Sequence, residues 1–345
     1  MLTASAPEVV APAPAVVARW DRPGPRYTSY PPVTAWRAMD AAEYASHLAG
    51  VHARPDGCAV YVHLPFCAAR CLYCGCNATV TRRPDVVDAF LARLAREADL
   101  VVARLGEGMR VDQLHWGGGT PNLLDDAQLA RAHAIVAERF ELSPGAELSV
   151  EADPRLVTRS QLDTLAALGF RRISFGVQDT DPRVQLAIGR VQPLTMVRDA
   201  VEGSRAAGFD GINVDLIYGL PHQTRESFAR TLDDVLALAP DRVACFGYAH
   251  VPWARAHQRR IDEGALPQAQ ARADLFAQAA TTLVGAGYEW IGLDHFARPD
   301  DPMARAWRDG RLSRDFMGYT VRPARHLIGL GPSAIGEVGD AFVQN

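Results

Sequence analysis

The sequence contains 345 residues, 48% of them hydrophobic and 22% charged, and its formal net charge is -4. A chain of this length can bury a large core as one α/β domain with appendages. The net charge is unlike the strongly basic composition of nucleic-acid-binding proteins. The sequence also contains no run of about 18 apolar residues that would predict a membrane span. We therefore expect neither a nucleic acid nor a membrane as a partner.

The first 56 residues precede any strand pattern. Residues 1 to 18 are rich in Ala and Pro, and we interpret them as a disordered lead. A signal peptide is the weaker alternative, because Glu8 precedes the apolar stretch and no basic segment comes before it. Residues 19 to 56, which include PGPRYTSYPP, are expected to form an extended arm.

From residue 57 to residue 268, short apolar segments alternate with amphipathic ones. Strands are predicted at CAVYVHL, QLHW, ELSVEA, RISFGVQ, INVDLIYGL and RVACFGYAH. Helices are predicted over residues 85 to 104, 125 to 139, 159 to 168, 194 to 207 and 224 to 238. Six strand-helix units predict an α/β fold, a partial (β/α)6 barrel with helices outside a parallel sheet. Residues 269 to 345 are expected to extend this barrel.

Polar and glycine-rich segments recur where the predicted strands end. A cysteine-rich loop follows the first strand and GGGTPN the second, while Glu151, Gln178 and Ala249 close the third, fourth and sixth. Asp215 lies within the fifth. Because the loops at the carboxyl ends of barrel strands carry the active site, we expect one site there.

Four of the six cysteines lie within ten residues: Cys67, Cys71, Cys74 and Cys76. This clustering indicates a metal site in a reducing compartment, the cytoplasm, and not a disulfide framework. The C-x3-C-x2-C spacing allows three thiolates to hold a 4Fe-4S cluster with one open iron, which can chelate a methionine moiety and pass an electron to its sulfonium. Structural zinc is the alternative. The other two cysteines, Cys58 and Cys245, are predicted to be buried thiols.

Three further features fit such a ligand. GGGTPN lacks side chains at three positions, so its backbone can closely approach a ligand; a plain tight turn is the alternative. Glu151 could anchor an ammonium group or a ribose hydroxyl, with a capping or surface role as the alternative. Asp215 lies in an apolar run, where an unpaired carboxylate is costly, and a ribose or a cation would satisfy it.

From about residue 20 onwards the chain resembles the oxygen-independent coproporphyrinogen III oxidases, radical S-adenosylmethionine (SAM) enzymes of haem biosynthesis. The resemblance rests on PGPRYTSYP, YVHLPFCAARCLYCGCN, HWGGGTPN, EADP, SFGVQD, NVDLIYGLP, GYAHVPW, DHFARPDD, GYT and GLGPSAIG. It implies that a 5'-deoxyadenosyl radical drives the oxidative decarboxylation of two propionates of coproporphyrinogen III to vinyl groups, giving protoporphyrinogen IX.

The resemblance also implies individual roles. The iron ligands of one 4Fe-4S cluster would be Cys67, Cys71 and Cys74, with Cys76 a family marker that does not bind iron. The cleaved SAM molecule would contact Tyr61, Gly118, Glu151 and Ile335. A second SAM molecule would contact Tyr73, Gly119, Thr120, Gln178, Arg190, Asp215 and Ala249. The catalytic residues would be Tyr61 and His63, with His63 beside the cluster.

The expected partners are the tetrapyrrole and a reductant such as a flavodoxin or ferredoxin, and the chain is expected to be a monomer. Arg26 is a candidate contact for a substrate carboxylate, with a plain surface arginine as the alternative. Met317 stands where the family often has glutamine, and the chain ends at Asn345 where the family continues into a helical domain, so we expect that domain to be absent.

Two other functions remain open. A radical SAM enzyme acting on another substrate is favoured by Met317 and by the early end of the sequence. A haem chaperone of the related family is disfavoured, because such proteins lack the PRYTSYP arm and have an aromatic residue in place of Cys76.

Overall fold

The computed structural model describes residues 11–21, 32, 35–51, 57–106 and 108–345. In this part of the chain, helices α1 to α10 span Pro14–Trp20, Ala41–Ala49, Pro84–Leu105, Asp126–Ala137, Arg159–Ala167, Pro182–Ala187, Leu194–Ala207, Arg225–Leu238, Ala269–Gly285 and Pro302–Arg308. Strands β1 to β15 span Cys58–Leu64, Phe66–Cys67, Thr79–Val80, Arg110–Gly118, Glu141–Ala152, Arg172–Gln178, Gly211–Tyr218, Arg242–Gly247, Glu289–Gly292, His295–Ala297, Ser313–Asp315, Gly318–Thr320, Leu327–Leu330, Ile335–Val338 and Ala341–Gln344.

The predicted parallel sheet is confirmed. Strands β1, β4, β5, β6, β7 and β8 lie side by side in that order, and each adjacent pair is parallel. Strand β1 is buried along almost its whole length, as expected for a parallel strand covered on both faces. The five predicted helices correspond to α3, α4, α5, α7 and α8, with ends that differ from the prediction by no more than two residues.

Short capping sequences fix where three of these helices begin. Asp125, Thr158 and Thr224 each accept a hydrogen bond from the backbone three residues later and complete a capping box at the start of α4, α5 and α8. Such caps satisfy backbone N–H groups that have no partner inside the helix. The loops between strand and helix therefore have defined lengths, which positions the side chains at the strand ends.

The C-terminal segment extends both edges of the sheet. Strand β13 pairs in parallel with β1 and continues into the antiparallel strands β14 and β15. At the other edge, β10 pairs antiparallel with β8, and β9 pairs antiparallel with the outer side of β10. In the described part of the chain the sheet therefore contains eleven strands, with β13 beside β1 and β15 as the outermost strand at that edge.

Two expectations for the N-terminal part were wrong. Residues 14 to 18 belong to helix α1 and are not disordered; this helix contacts α9, and Asp21 at its end accepts a hydrogen bond from Arg272 at 2.8 Å. The arm is not extended throughout, since Asp40 caps helix α2 by accepting hydrogen bonds from two backbone N–H groups. The segment PGPRYTSYP, with Arg26, lies outside the described residues.

None of the helices in the described part of the chain is both long and apolar enough to cross a membrane.

Candidate active site

The cysteine-rich loop leaves the end of β1 and is closed by a short pair of strands. Strand β2, which contains Cys67, pairs with β3. Two other loops hold the middle of the segment: Leu72 N donates to the carbonyl of Ile188 at 2.9 Å, and His257 Nε2 lies 2.7 Å from the carbonyl oxygen of Cys74. The loop therefore lies between the segments that follow β6 and β8.

Tyr73 and Ala249, both predicted for the second SAM molecule, are joined through one side chain. The amide of Gln258 donates to the carbonyl of Tyr73 at 2.9 Å and to the carbonyl of Ala249 at 3.3 Å. Gln258 is almost completely buried, which makes these bonds costly to break. Sequence analysis did not identify this residue.

The sulfur atoms of the predicted iron ligands each accept a hydrogen bond. Thr120 Oγ1 donates to Cys67 Sγ at 3.4 Å, and Cys76 N donates to Cys74 Sγ at 3.3 Å. The side-chain hydrogen bond with Cys76 also lowers the pKa of Cys74 to about 6, against the opposing effect of burial. Thiolate is the form that binds iron, so this environment fits an iron ligand.

Cys71 has charged donors. Arg155 Nη2 and Arg190 Nη1 lie 3.6 Å and 3.5 Å from its Sγ. Both guanidinium groups also contact the buried carboxylate of Asp153. Burial opposes ionisation of Asp153, but the two arginines outweigh it and hold its pKa below the usual value. Arg155 and Asp153 were missed by sequence analysis, although they follow Glu151 directly in EADPR.

The donor set fits a 4Fe-4S cluster. In the described part of the chain, no three His, Cys, Asp or Glu side chains are placed to hold a single metal ion. A cubane does not require such convergence, because its cysteine ligands bind separate irons. The predictions for Cys58 and Cys245 are confirmed, since both are buried free thiols.

The glycines of GGGTPN make room for neighbouring protein groups. Gly118 has φ of 111°, and a Cβ atom there would lie 2.7 Å from the His63 ring. A Cβ atom on Gly119 would lie 2.6 Å from the carbonyl oxygen of Phe66. The sequence predicted that the backbone of these glycines would closely approach a ligand. In the structure they closely approach His63 and Phe66 of the protein itself.

Gly118→Ala should lower the thermal stability of the protein more than Gly145→Ala does. Both positions have positive φ, but Gly145 has nothing within 4 Å of an added Cβ, so its substitution should cost about 1–2 kcal/mol for the backbone alone. Gly118→Ala adds the overlap with His63. Thermal unfolding of both variants measures the difference, and equal melting temperatures would contradict this explanation.

Glu151 closes β5 and lies beside Gly118. Its Oε2 accepts a hydrogen bond from Gly118 N at 3.2 Å, and its Oε1 lies 3.5 Å from His115 Nε2. Burial raises the pKa of Glu151, but the contacts with His115 and Gly118 outweigh it, so the pKa falls below its usual value. The carboxylate lies inside the barrel, but 46% of the side chain is accessible because it lines the internal cavity. An ionised carboxylate is therefore available to a cationic ligand.

Tyr61 and His63 form a hydrogen-bonded pair on β1. Tyr61 Oη lies 3.0 Å from His63 Nδ1, and His63 Nε2 lies 2.9 Å from the carbonyl oxygen of Asn77. Because a carbonyl only accepts, Nε2 carries the proton of the neutral ring and Nδ1 accepts from the tyrosine. Tyr61 also stacks on His115, with ring centroids 5.9 Å apart.

Ile335 reaches the same region from the C-terminal strands. Tyr61 pairs with Gly329 across β1 and β13, and a Cβ on Gly329 would lie 3.0 Å from the Ile335 carbonyl group. The structure therefore places the four residues predicted for the cleaved SAM molecule on nearby strands of one sheet, with Gly118 and Glu151 at the carboxyl ends of β4 and β5.

A cavity of about 280 Å³ opens inside the barrel between Glu151 and Asp215. Asp215 accepts hydrogen bonds from Ser174 Oγ at 3.0 Å and from Asn213 Nδ2 at 2.7 Å. Burial, together with the nearby charge of Glu151, raises the pKa of Asp215 to about 7. Met317 lies in the turn between β11 and β12 and lines the same cavity.

Asp215→Asn should change how stability depends on pH. Since folding raises the pKa of this carboxyl from 3.8 to about 7, the folded protein binds the proton more tightly and loses stability as pH rises through this range. The variant lacks this loss, so its stability relative to the wild type should increase between about pH 4 and pH 7 and then level off. Urea unfolding across this range provides the measurement, with Asp199→Asn on the exposed face of α7 as the charge-matched control. Parallel curves for Asp215→Asn and wild type would contradict the assignment.

The side chains of Gln178 and Arg190 both lie next to Gly176. A Cβ on Gly176 would lie 2.7 Å from Gln178 Nε2 and 3.2 Å from Arg190 Nη2. Gln178 has φ of 69° and follows a break in register between β6 and β7. Of the residues predicted for a second SAM molecule, Gln178 and Arg190 thus lie together, whereas Asp215 lines the cavity.

Comparison with known proteins identifies the superfamily and the family of this chain. Residues 61–235 match the model of the Radical SAM superfamily. Oxygen-independent coproporphyrinogen III oxidase of Salmonella typhimurium is 44% identical over 332 residues, which cover 96% of this chain and 72% of the relative. The enzyme of the same name from Synechocystis sp. is 41% identical, with coverage of 93% and 69%. The solved structure of coproporphyrinogen III oxidase (HemN) from Escherichia coli, described as a radical SAM enzyme, superposes with a TM-score of 0.90 at 40% identity and covers 97% of this chain and 75% of that one.

The fold and the cysteine loop thus define a radical SAM protein, a class that implies a 4Fe-4S cluster and SAM. The chain belongs to the family of oxygen-independent coproporphyrinogen III oxidases.

Proposed function

We propose that this chain converts coproporphyrinogen III to protoporphyrinogen IX without oxygen, in haem biosynthesis. The proposal rests on three thiols of the cysteine loop, each of which accepts a hydrogen bond. Beside them lie the ionised Glu151 and an internal cavity. Relatives of this name match over more than 90% of the chain, which supports the choice of substrate.

When bound, the cluster and SAM would supply a 5'-deoxyadenosyl radical able to take a hydrogen atom from the β-carbon of a propionate; loss of carbon dioxide and transfer of one electron to an external acceptor would then leave a vinyl group. The protein's part is to hold the propionate near the radical carbon and to exclude water and oxygen, which is positioning and not acid-base chemistry.

For the cleaved SAM molecule, we assign Glu151 to the ammonium group or a ribose hydroxyl. Its lowered pKa and its exposure to the cavity support this role. Tyr61, Gly118 and Ile335 would contact the same molecule, and His63, held by Tyr61, would lie beside the cluster.

A second SAM molecule would contact residues around Tyr73 of the cysteine loop. The arrangement of Tyr73 and Ala249 around one glutamine and of Gln178 with Arg190 supports this placement. The residues proposed for it are Tyr73, Gly119, Thr120, Gln178, Arg190, Asp215 and Ala249.

The tetrapyrrole would enter beside the hairpin formed by β11 and β12, which contributes Met317 to the cavity. Trp36 of the arm packs edge-on against Phe316 in that hairpin, with ring centroids 6.1 Å apart. This contact supports a role for the arm in substrate binding, for which Arg26 is the proposed carboxylate contact. A reductant such as a flavodoxin or ferredoxin would supply the electron, and we place the enzyme in the reducing cytoplasm.

The test is an anaerobic assay of the cluster-loaded protein with coproporphyrinogen III, SAM and a reductant. Formation of protoporphyrinogen IX, together with 5'-deoxyadenosine and carbon dioxide, is the expected result. Cleavage of SAM without decarboxylation, from a fully loaded protein, would instead favour another substrate.

A further inference from the structure

Cys71 differs from the other two predicted iron ligands in the charge of its donors. Arg155 Nη2 and Arg190 Nη1 lie 3.6 Å and 3.5 Å from its sulfur, whereas Cys67 and Cys74 accept from a hydroxyl and a backbone N–H. In the described part of the chain, only this one of the three sulfurs accepts hydrogen bonds from cations.

A single carboxylate holds both cations in place. Asp153 accepts from Arg155 Nε at 2.9 Å and from Arg155 Nη2 at 2.6 Å, and its Oδ2 lies 3.1 Å from Arg190 Nη1. The side chains are 6% exposed for Asp153, 8% for Arg190 and 21% for Arg155. The three residues thus place a net charge of one positive unit against Cys71, screened only weakly by solvent.

This charge acts on the electron that the cluster must accept. Reduction makes the cluster and its thiolates more negative, and a fixed cation or a hydrogen bond to a ligand sulfur stabilises the reduced form. Arg190 also has a proposed role in binding SAM. Arg155 has no such role, and its side-chain partners in the described residues are Asp153 and Cys71.

We propose that Arg155 is a positioning residue that acts through Cys71 to raise the reduction potential of the 4Fe-4S cluster. The inference rests on the cluster site of the proposed function but not on the tetrapyrrole substrate. Asp153 keeps the guanidinium group in contact with the sulfur, and the cation makes electron transfer from a weak reductant more favourable.

The test is the midpoint potential of the loaded cluster, measured without SAM or substrate by anaerobic redox titration followed by electron paramagnetic resonance. Arg155→Met should have a more negative midpoint potential than the wild type. Arg155→Lys keeps the charge, so its midpoint potential should lie between those of Arg155→Met and the wild type. Arg159→Met is the matched control, because it removes a surface arginine that is 56% exposed and paired with Asp163; its potential should equal that of the wild type.

A wild-type potential in fully loaded Arg155→Met would overturn the inference. If Arg155→Met does not take up the cluster, Arg155→Gln replaces it, since an amide can still bond to Asp153. Failure of both variants to load while they keep the wild-type circular dichroism spectrum would assign Arg155 to cluster assembly and would also overturn it. A wild type that never decarboxylates the tetrapyrrole would refute the proposed substrate, yet the shift in potential would remain measurable.

Discussion

Anaerobically reconstituted Cys67→Ala, Cys71→Ala and Cys74→Ala should each contain no stable 4Fe-4S cluster, whereas Cys76→Ala should keep the wild-type content of iron and sulfide. The first three sulfurs accept hydrogen bonds from Thr120, from two arginines and from the Cys76 backbone. Removing one leaves a second iron without a protein ligand, and the cubane then has only two anchors.

The Cys76 variant should keep the cluster because Cys76 is not assigned as an iron ligand and alanine retains the backbone N–H that donates to Cys74 Sγ; only the side-chain hydrogen bond between the two thiols is lost. Iron and acid-labile sulfide analysis measures all four variants. Cys58→Ala is the control for loss of a buried thiol far from the loop. Loss of the cluster in Cys76→Ala, with retention in any of the other three, would contradict the assignment of ligands.

Glu151→Gln should bind SAM about 10- to 100-fold more weakly than the wild type while keeping its cluster. Glutamine can still accept from Gly118 N, but it lacks the negative charge that an ammonium group requires. Loss of one hydrogen bond to a charged group costs about 1.5–3 kcal/mol, which corresponds to this loss of affinity.

The measurement is isothermal titration of the loaded protein with SAM, together with the rate of 5'-deoxyadenosine formation. Glu147→Gln is the matched control, since Glu147 lies on the same strand, lines the same cavity and is four residues further from the carboxyl end of β5. Equal affinities for Glu151→Gln and wild type would remove Glu151 from the SAM site. Equal losses in the two variants would instead indicate a general effect of charge in the cavity.

The strands and the cysteine loop could be predicted because their signals are local. A parallel strand buried on both faces requires a continuous apolar run, as CAVYVHL provides, and the spacing of Cys67, Cys71 and Cys74 determines how a single loop can surround a cluster. Glu151 was identified for the same reason, since it closes a predicted strand.

Contacts between distant segments could not be predicted in this way. Arg155 follows a strand end, where charged residues are common, and only the fold brings it to Cys71, 84 residues away. Gln258 reaches Tyr73 across 185 residues. Helix α1 depends on packing against α9, so the composition of its own segment, rich in Ala and Pro, indicated disorder.

The transfer of deuterium from substrate to cofactor shows most directly whether this protein decarboxylates coproporphyrinogen III. Coproporphyrinogen III deuterated at the β-carbons of its propionates is incubated anaerobically with the loaded protein, SAM and a reductant, and the products are analysed by mass spectrometry. We expect 5'-deoxyadenosine that carries deuterium, with protoporphyrinogen IX formed alongside it. Unlabelled 5'-deoxyadenosine from a fully loaded protein, with the tetrapyrrole recovered unchanged, would contradict this expectation.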